Sequence, residues 1–325
     1  MLVFADDGKP GITRRRAGRG WTYWDADGQR ITGRAEIDRL NSVGLPPAYE
    51  RAWFCANPRG HIQAIGYDEK GRKQYRYHPD FRARQEADKF DRCAGFGCAL
   101  PKLRARVERD LKQPGIGRQK AIAAVIRLLD ASGIRVGNES YTQLNGSFGA
   151  TTLRTRHANL KGATLSLRFV GKSGRKARID VDDRLLARVV RRCQDLPGQH
   201  LFGYVDDAGE AHPVTSTDVN EYIHEVMGED FTAKHFRTWT ASAIAYEILV
   251  LAGEEGVSLR DLLTPVAAAL GNTPAIARKS YVHPALIALA KKGKHANLPR
   301  CRGSKYLSAS ERGLIAFLES LPGGS

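Results

Sequence analysis

Tyr281 closes a segment in which a helix ends at Leu270-Gly-Asn-Thr-Pro274, a new helical turn starts, and two cations, Arg278 and Lys279, precede the phenol. A phenol is a poor nucleophile until something lowers its barrier, since its ordinary pKa is about 10. To cut a phosphodiester it would also need a clamp on two non-bridging oxygens, which suits planar arginine forks. The leaving sugar oxygen would need a proton, which suits a lysine. Three distant basic segments could supply these groups. Arg135-Val-Gly-Asn-Glu139 lies at a junction of two expected helices, where an arginine can aim its fork at a phosphate instead of pairing with Glu139. Lys172 stands at the tip of the turn Gly171-Lys-Ser-Gly174. Arg237 lies in the first turns of the helix opened by Lys234-His-Phe-Arg-Thr-Trp239, where helix amides and dipole favour an anion. Asn272 adds a neutral hydrogen-bond donor. Each piece alone has an ordinary reading as a packed tyrosine, a solvated turn lysine or a surface arginine. The Gly-Lys-Ser run is not a nucleotide loop, because the glycine required five residues earlier is Ser166.

The elements that must position these residues fall into two regions of an α+β chain. Residues 1–20 read as a flexible basic arm, with Arg14-Arg-Arg-Ala-Gly-Arg-Gly20. Residues 21–80 read as a small antiparallel β-rich domain: runs at 21–24, 30–32, 51–56, 61–67 and 74–77, with a helix at 34–42. Asn57-Pro-Arg-Gly60 and Asp68-Glu-Lys-Gly71 have the composition of hairpin turns. From residue 81 to 325 the pattern becomes mainly helical, with helices at 81–90, 99–111, 118–131, 136–143, 183–194, 216–226, 234–251, 258–270 and 284–290. In 118–131 the apolar Ile122, Val125, Ile126 and Leu129 form one stripe. A β island is inserted at 151–154, 164–170 and 175–181.

The composition narrows the partner. The 325 residues are 42% hydrophobic and 26% charged, ordinary for a soluble globular chain, but the formal charge is +16 and the sequence pI about 9.8. Such an excess favours a polyanion. A membrane partner is disfavoured, since the most apolar stretch, 241–252, is broken by Glu247 and too short to span. The N-terminus carries acids where a secretory signal needs cations, so a cytosolic location is expected. Five scattered cysteines make neither a zinc site nor a disulfide framework, and no Asp/Glu cluster is expected to hold a metal.

In order along the chain, five motifs resemble the type IB DNA topoisomerases of the poxvirus and bacterial kind. They are Gly71-Arg-Lys-Gln-Tyr-Arg-Tyr77, Arg135-Val-Gly-Asn-Glu139, Phe169-Val-Gly-Lys172, Lys234-x-x-Arg237-Thr-Trp239, and Asn272-Thr-Pro-x-Ile running to Tyr281. The resemblance covers nearly everything after about residue 20. It implies a clamp around double-stranded DNA, built from a small β-rich domain and a mainly helical catalytic domain that acts as a monomer on nucleoid DNA without cofactor. It implies that Tyr281 attacks the scissile phosphate and holds the 3′ phosphate while the free strand rotates, and that religation then restores the duplex without ATP. Arg135, Arg237 and Asn272 would stabilise the pentacoordinate phosphate, and Lys172 would protonate the 5′ oxygen. Tyr75 and Tyr77, with Arg72, Lys73 and Lys234, would contact DNA. Tyrosine recombinases share this constellation, but their second box usually begins with His where this chain has Lys234, and their front domain is helical. A non-catalytic DNA-binding module would explain the charge but not the ordered motifs.

Poxvirus members carry histidine where this chain has Asn272. Asparagine can donate to a phosphate oxygen but cannot be cationic. In a DNA cleavage assay Asn272→Ala is expected to be slower than the parent, and Asn272→His to remain active. An inactive histidine variant, or an unaffected alanine one, removes Asn272 from the site.

Overall fold

A computed structural model describes the chain except residues 19, 70, 229–230, 293–297 and 323–325, and except the side chains of 86–88 and 292. It divides into two compact units, Met1–Asp88 and Lys89–Ser325.

In the first unit the strands are β1 (Ile12–Ala17), β2 (Gly20–Trp24), β3 (Glu50–Phe54), β4 (Ile62–Tyr67) and β5 (Lys73–Tyr77). They form one antiparallel sheet in the order β2-β1-β3-β4-β5. Helix α1 (Arg34–Ser42) covers a small core of Ile12, Tyr23, Leu40, Leu45, Phe54 and Ala64. Helix α2 (Pro79–Asp91) leads out of the unit.

The expected flexible arm is a correction. Residues 12–17 are a central sheet strand, of which Ile12 is buried. Arg14 is no free cation: its guanidinium donates to the carbonyls of Leu45, Pro46 and Tyr49 and stacks 4.0 Å from the Trp21 ring centroid. An arginine can line a strand when carbonyls and an aromatic face replace its water. The expected strand at 30–32 reduces to one bridge, Arg30 to Trp24.

The second unit packs its helices around a single large core. They are α3 (Cys93–Lys112), α4 (Arg118–Ser132), α5 (Glu139–Asn145), α6 (Arg184–Gln194), α7 (Ser216–Met227), α8 (Ala233–Ala252), α9 (Leu259–Leu270), α10 (Pro274–Ser280), α11 (Pro284–Lys292) and α12 (Ala309–Glu319). β6 (Ala158–Lys161), β7 (Thr164–Val170) and β8 (Lys176–Asp182) form a three-stranded antiparallel sheet, and β9 (Gly203–Val205) pairs with β10 (Ala211–Pro213). No helix among the described residues is long and apolar enough to cross a membrane.

Two expectations fail here for the same reason. Residues 150–152 form a 3₁₀ turn instead of a strand, and α5 starts at 139 rather than 136. The Thr151 hydroxyl donates to the Val136 carbonyl at 2.9 Å, and the Gly149 amide donates to the Thr152 hydroxyl at 2.9 Å. The amides of Ala150 and Thr151 donate to the carbonyls of Arg135 and Val136 at 2.8 and 2.7 Å. Side-chain and loop hydrogen bonds thus take the groups that strand and helix would have used. A Cβ at Gly149 would stand 2.6 Å from the Arg135 carbonyl, so only glycine permits this approach. Of the basic stretch Lys291–Lys305, positions 293–297 lie outside the described residues, and Lys305 pairs with Glu108 at 3.2 Å.

One acidic group does form among the described residues. Asp206, Glu210 and His212 bring ligand atoms within 4.8 Å of one another at the β9–β10 turn. There Asp206 already accepts from the amides of Ala208 and Glu210 and from His212 Nε2 at 2.7 Å.

Helix α12 was not expected, although Ser308 and Glu311 form a capping box at its start. Glu311 also faces inward. Arg104 of α3 holds Asp130 and Glu311 through paired N–H···O bonds of 2.6–2.9 Å, and Trp239 Nε1 donates to Glu311 at 2.9 Å. Burial raises the Glu311 carboxyl, but Arg104 and Trp239 outweigh it and the net shift is downward. A carboxyl lowered on folding contributes stability that is complete above its unfolded value and is lost as pH falls through the folded one. Glu311→Ala should therefore cost about 3 kcal/mol in urea unfolding at neutral pH, because Arg104 and Trp239 lose a buried partner. The gap between parent and variant should narrow below about pH 4.

Candidate active site

The site assembles where the carbonyl ends of two helices meet the middle of a third. Gly133, in the left-handed region at φ 58°, ends α4, and Gly271 at φ 61° ends α9. Arg237, on the second turn of α8, is 5% exposed. Its guanidinium donates to the Gly133 carbonyl and, at 3.0 Å, to that of Leu270. Helix C-terminal carbonyls carry partial negative charge, so they are a natural seat for a cation. The sequence placed Arg237 near the amide end of its own helix. The fold instead sends its fork to the carbonyl ends of α4 and α9.

Past Gly271 the chain turns, and Thr273 caps α10 by accepting from the Ile276 amide at 3.3 Å, with Pro274 at the first helical position. Tyr281 terminates α10 as a half-buried residue. Cζ of Arg237 lies 4.6 Å from the centroid of its ring. Burial raises the Tyr281 phenol, but Arg237 and then Arg135, by charge and hydrogen bond, bring it below the ordinary tyrosine value. That is the direction a phenol nucleophile needs.

Arg135 follows the α4 cap and is held by the loop contacts described above. Glu139 does not neutralise it, because that carboxylate is taken by Arg154 at 2.5 Å and by His200 at 3.2 Å. Arg135 instead donates to Oδ1 of Asn272 at 3.0 Å. An arginine can only donate, so this bond sets the amide: its oxygen faces Arg135 and its Nδ2 is the free donor. That Nδ2 is buried without a partner, as is Nε of Arg237. Such orphaned donors are costly unless a ligand meets them.

Of the residues singled out from sequence, the structure brings Tyr281, Arg237, Arg135 and Asn272 into direct contact. Lys172 lies at the exposed tip of the β7–β8 hairpin, a turn closed by the Gly171 amide on the Arg175 carbonyl at 2.7 Å. It lines the same cleft as Arg135, Arg237, Lys234 and Tyr281. Tyr141 of α5, which the sequence did not single out, lines that cleft too. Tyr75, Tyr77, Arg72 and Lys73 belong to the first unit. The two tyrosines share one face of β5 with rings stacked at 5.8 Å and 11°, and are 39% and 41% exposed. Arg72 pairs with Asp68 at 2.6 Å, and Lys73 pairs with Asp7.

Residues 78–293 match the family described as eukaryotic DNA topoisomerase I, catalytic core, and residues 20–68 match bacterial DNA topoisomerase IB, N-terminal domain. The chain is 30% identical over 285 residues to DNA topoisomerase 1B of Acanthamoeba polyphaga mimivirus, covering 84% of this chain and 85% of that protein. It is 22% identical over 246 residues to DNA topoisomerase 1B of vaccinia virus (strain Copenhagen), covering 75% and 76%. A solved site-specific recombinase, XerH bound to its difH substrate, matches at TM-score 0.37 and 14% identity, over 56% of this chain and 48% of that one, too loosely to bear on function. The chain belongs to the type IB DNA topoisomerases. It is an enzyme that relaxes supercoiled DNA.

Replacing Arg237 should undo the lowering of the Tyr281 phenol. In DNA-free protein, the 295 nm tyrosinate signal of Tyr281, taken as the difference from the Tyr281→Phe protein, should appear at higher pH in Arg237→Ala than in the parent. An unmoved titration would remove Arg237 as the cause.

Proposed function

We propose that Tyr281 is the nucleophile of this topoisomerase, with Arg135, Arg237 and Asn272 as its phosphate clamp and Lys172 as its general acid. The carrying observation is the contact of the Tyr281 ring with Arg237, beside an Arg135–Asn272 pair that leaves one amide donor unused. The phenol passes its proton to solvent water as its oxygen attacks the scissile phosphorus. The bond from phosphorus to the 5′ oxygen breaks, and that oxygen takes a proton from Lys172. The phosphate stays joined to Tyr281 at the 3′ side. The forks of Arg135 and Arg237 and the Nδ2 of Asn272 donate to non-bridging oxygens as charge builds on them. With one end held and the 5′-hydroxyl end free, the duplex swivels until torsion is spent. Attack of the 5′-hydroxyl on the phosphotyrosine then reverses the step. The ester keeps the energy of the bond that was cut, so resealing needs no ATP.

Lys172 suits the acid role because a hairpin tip carries its ammonium into the cleft without a competing carboxylate. Lys234, exposed at the same cleft, suits a flanking phosphate. In the first unit, the stacked Tyr75 and Tyr77 with Arg76 between them offer flat apolar faces and a cation, a set suited to the major groove of the same duplex. Arg72 and Lys73 would first have to exchange Asp68 and Asp7 for phosphates.

The decisive experiment incubates supercoiled plasmid with the protein in EDTA and without ATP, parent beside Tyr281→Phe, and quenches with SDS. The parent should relax the plasmid and leave a covalent adduct, and the variant should do neither. Relaxation by both proteins, or by neither, would sink the assignment.

A further inference from the structure

We propose that Ser242, in the middle of α8, is a positioning residue that holds the backbone of the nucleophile in register with Arg237. The inference rests on Tyr281 being the nucleophile. Ser242 is 0% exposed, a polar side chain sealed in the core. Its hydroxyl donates to the carbonyl of Tyr281 at 3.4 Å and accepts from the amide of His283 at 3.1 Å. One oxygen therefore grips two peptide groups that flank Val282, whose side chain is itself fully buried. Tyr281 needs such a grip because it has left the helix, with φ −134° and ψ −42°. The last α10 turn ends on the Ala277 carbonyl, shared by the amides of Tyr281 and Val282 at 3.0 Å each. Lys89 adds a strut, donating to the Ser280 carbonyl at 2.7 Å.

Five residues separate Arg237 from Ser242 along α8, about 7.5 Å of helix. One rigid helix thus meets the ring of Tyr281 with a guanidinium and its main chain with a hydroxyl. The ring-to-cation distance is then set by helix geometry rather than by a free loop. Losing the hydroxyl leaves the Tyr281 carbonyl and the His283 amide without their partner and lets the phenol drift from Arg237. A misplacement near 1 Å can cost about a hundredfold in rate.

The test is single-turnover cleavage, at saturating DNA, of a duplex whose short leaving strand diffuses away. The proteins are the parent, Ser242→Ala, Cys93→Ala and Tyr281→Phe. Ser242→Ala should cleave about tenfold or more slowly. Its rate-against-pH curve should move to higher pH as the phenol loses Arg237. Affinity for the duplex, measured in the non-cleaving Tyr281→Phe background with and without Ser242→Ala, should not change. Cys93 is a buried α3 side chain beside the Ser242 hydroxyl and carries neither of the two peptide hydrogen bonds that Ser242 makes, so Cys93→Ala should cleave at the parent rate. Parent-like cleavage by Ser242→Ala, an equal slowing by Cys93→Ala, or a loss of affinity matching the loss of rate would each overturn the proposal. A covalent adduct formed by Tyr281→Phe would instead overturn the assignment of the nucleophile, an outcome the Ser242 comparison does not imitate.

Discussion

A buried guanidinium organises the catalytic unit. Arg237 has almost no contact with water, and an isolated charge in that position would be prohibitive. It is tolerated because α4 and α9 both end there, each at a left-handed glycine that turns the chain away and leaves a helix-end carbonyl facing inward. The same two turns release the segments that carry Arg135 and Asn272. The seat of the cation and the delivery of its partners are therefore one geometric fact. Substituting either glycine would strain the turn and shift the carbonyl, the arginine and the downstream residue together.

The electrostatics follow from that seat. Arg135, Arg237, Lys172 and Lys234 converge on one cleft, and Glu139, the acid nearest in sequence, is held away by Arg154 and His200. Without substrate the cleft carries an excess of positive charge, and among the described residues the carbonyls of Gly133 and Leu270 face Arg237. On the function proposed above, a phosphodiester completes it, supplying acceptors for the unpartnered nitrogens of Asn272 and Arg237. In that proposal, the cost of leaving those donors unpaired in the free protein is recovered when charge develops on the phosphate, which favours the transition state over the ground state.

Rigidity around the site comes from elements with no part in chemistry. The clasp of Arg104 with Asp130 and Glu311 ties α12 to α3 and α4, and through Trp239 it fixes α8 two residues beyond Arg237. A Cβ on Gly97 of α3 would stand 2.2 Å from the Trp239 ring, so that close approach also depends on a missing side chain. Small displacements in this packing would reach Arg237 directly, because a close-packed interior transmits strain.

Much of this was legible along the chain. Local signals suffice where they act over a few residues: the apolar stripe of α4, the hairpin turn bearing Lys172, and the ordered basic motifs that single out Tyr281. The capping box of α12 is an equally local signal. What the sequence could not supply were partners decided at long range. Arg14 reads as part of a basic arm until three carbonyls and a tryptophan ring enclose it. Residues 151–154 read as a strand until the Arg135–Gly137 loop takes the hydrogen bonds of Ala150 and Thr151. Residue types and their order determined the chemistry this protein could attempt. Only the tertiary structure decided that Glu139 would be drawn away from Arg135, that Asn272 would offer its nitrogen rather than its oxygen, and that Arg237 would sit under the tyrosine ring. Those outcomes depend on hydrogen-bond competition between groups up to 137 residues apart, which no local pattern encodes.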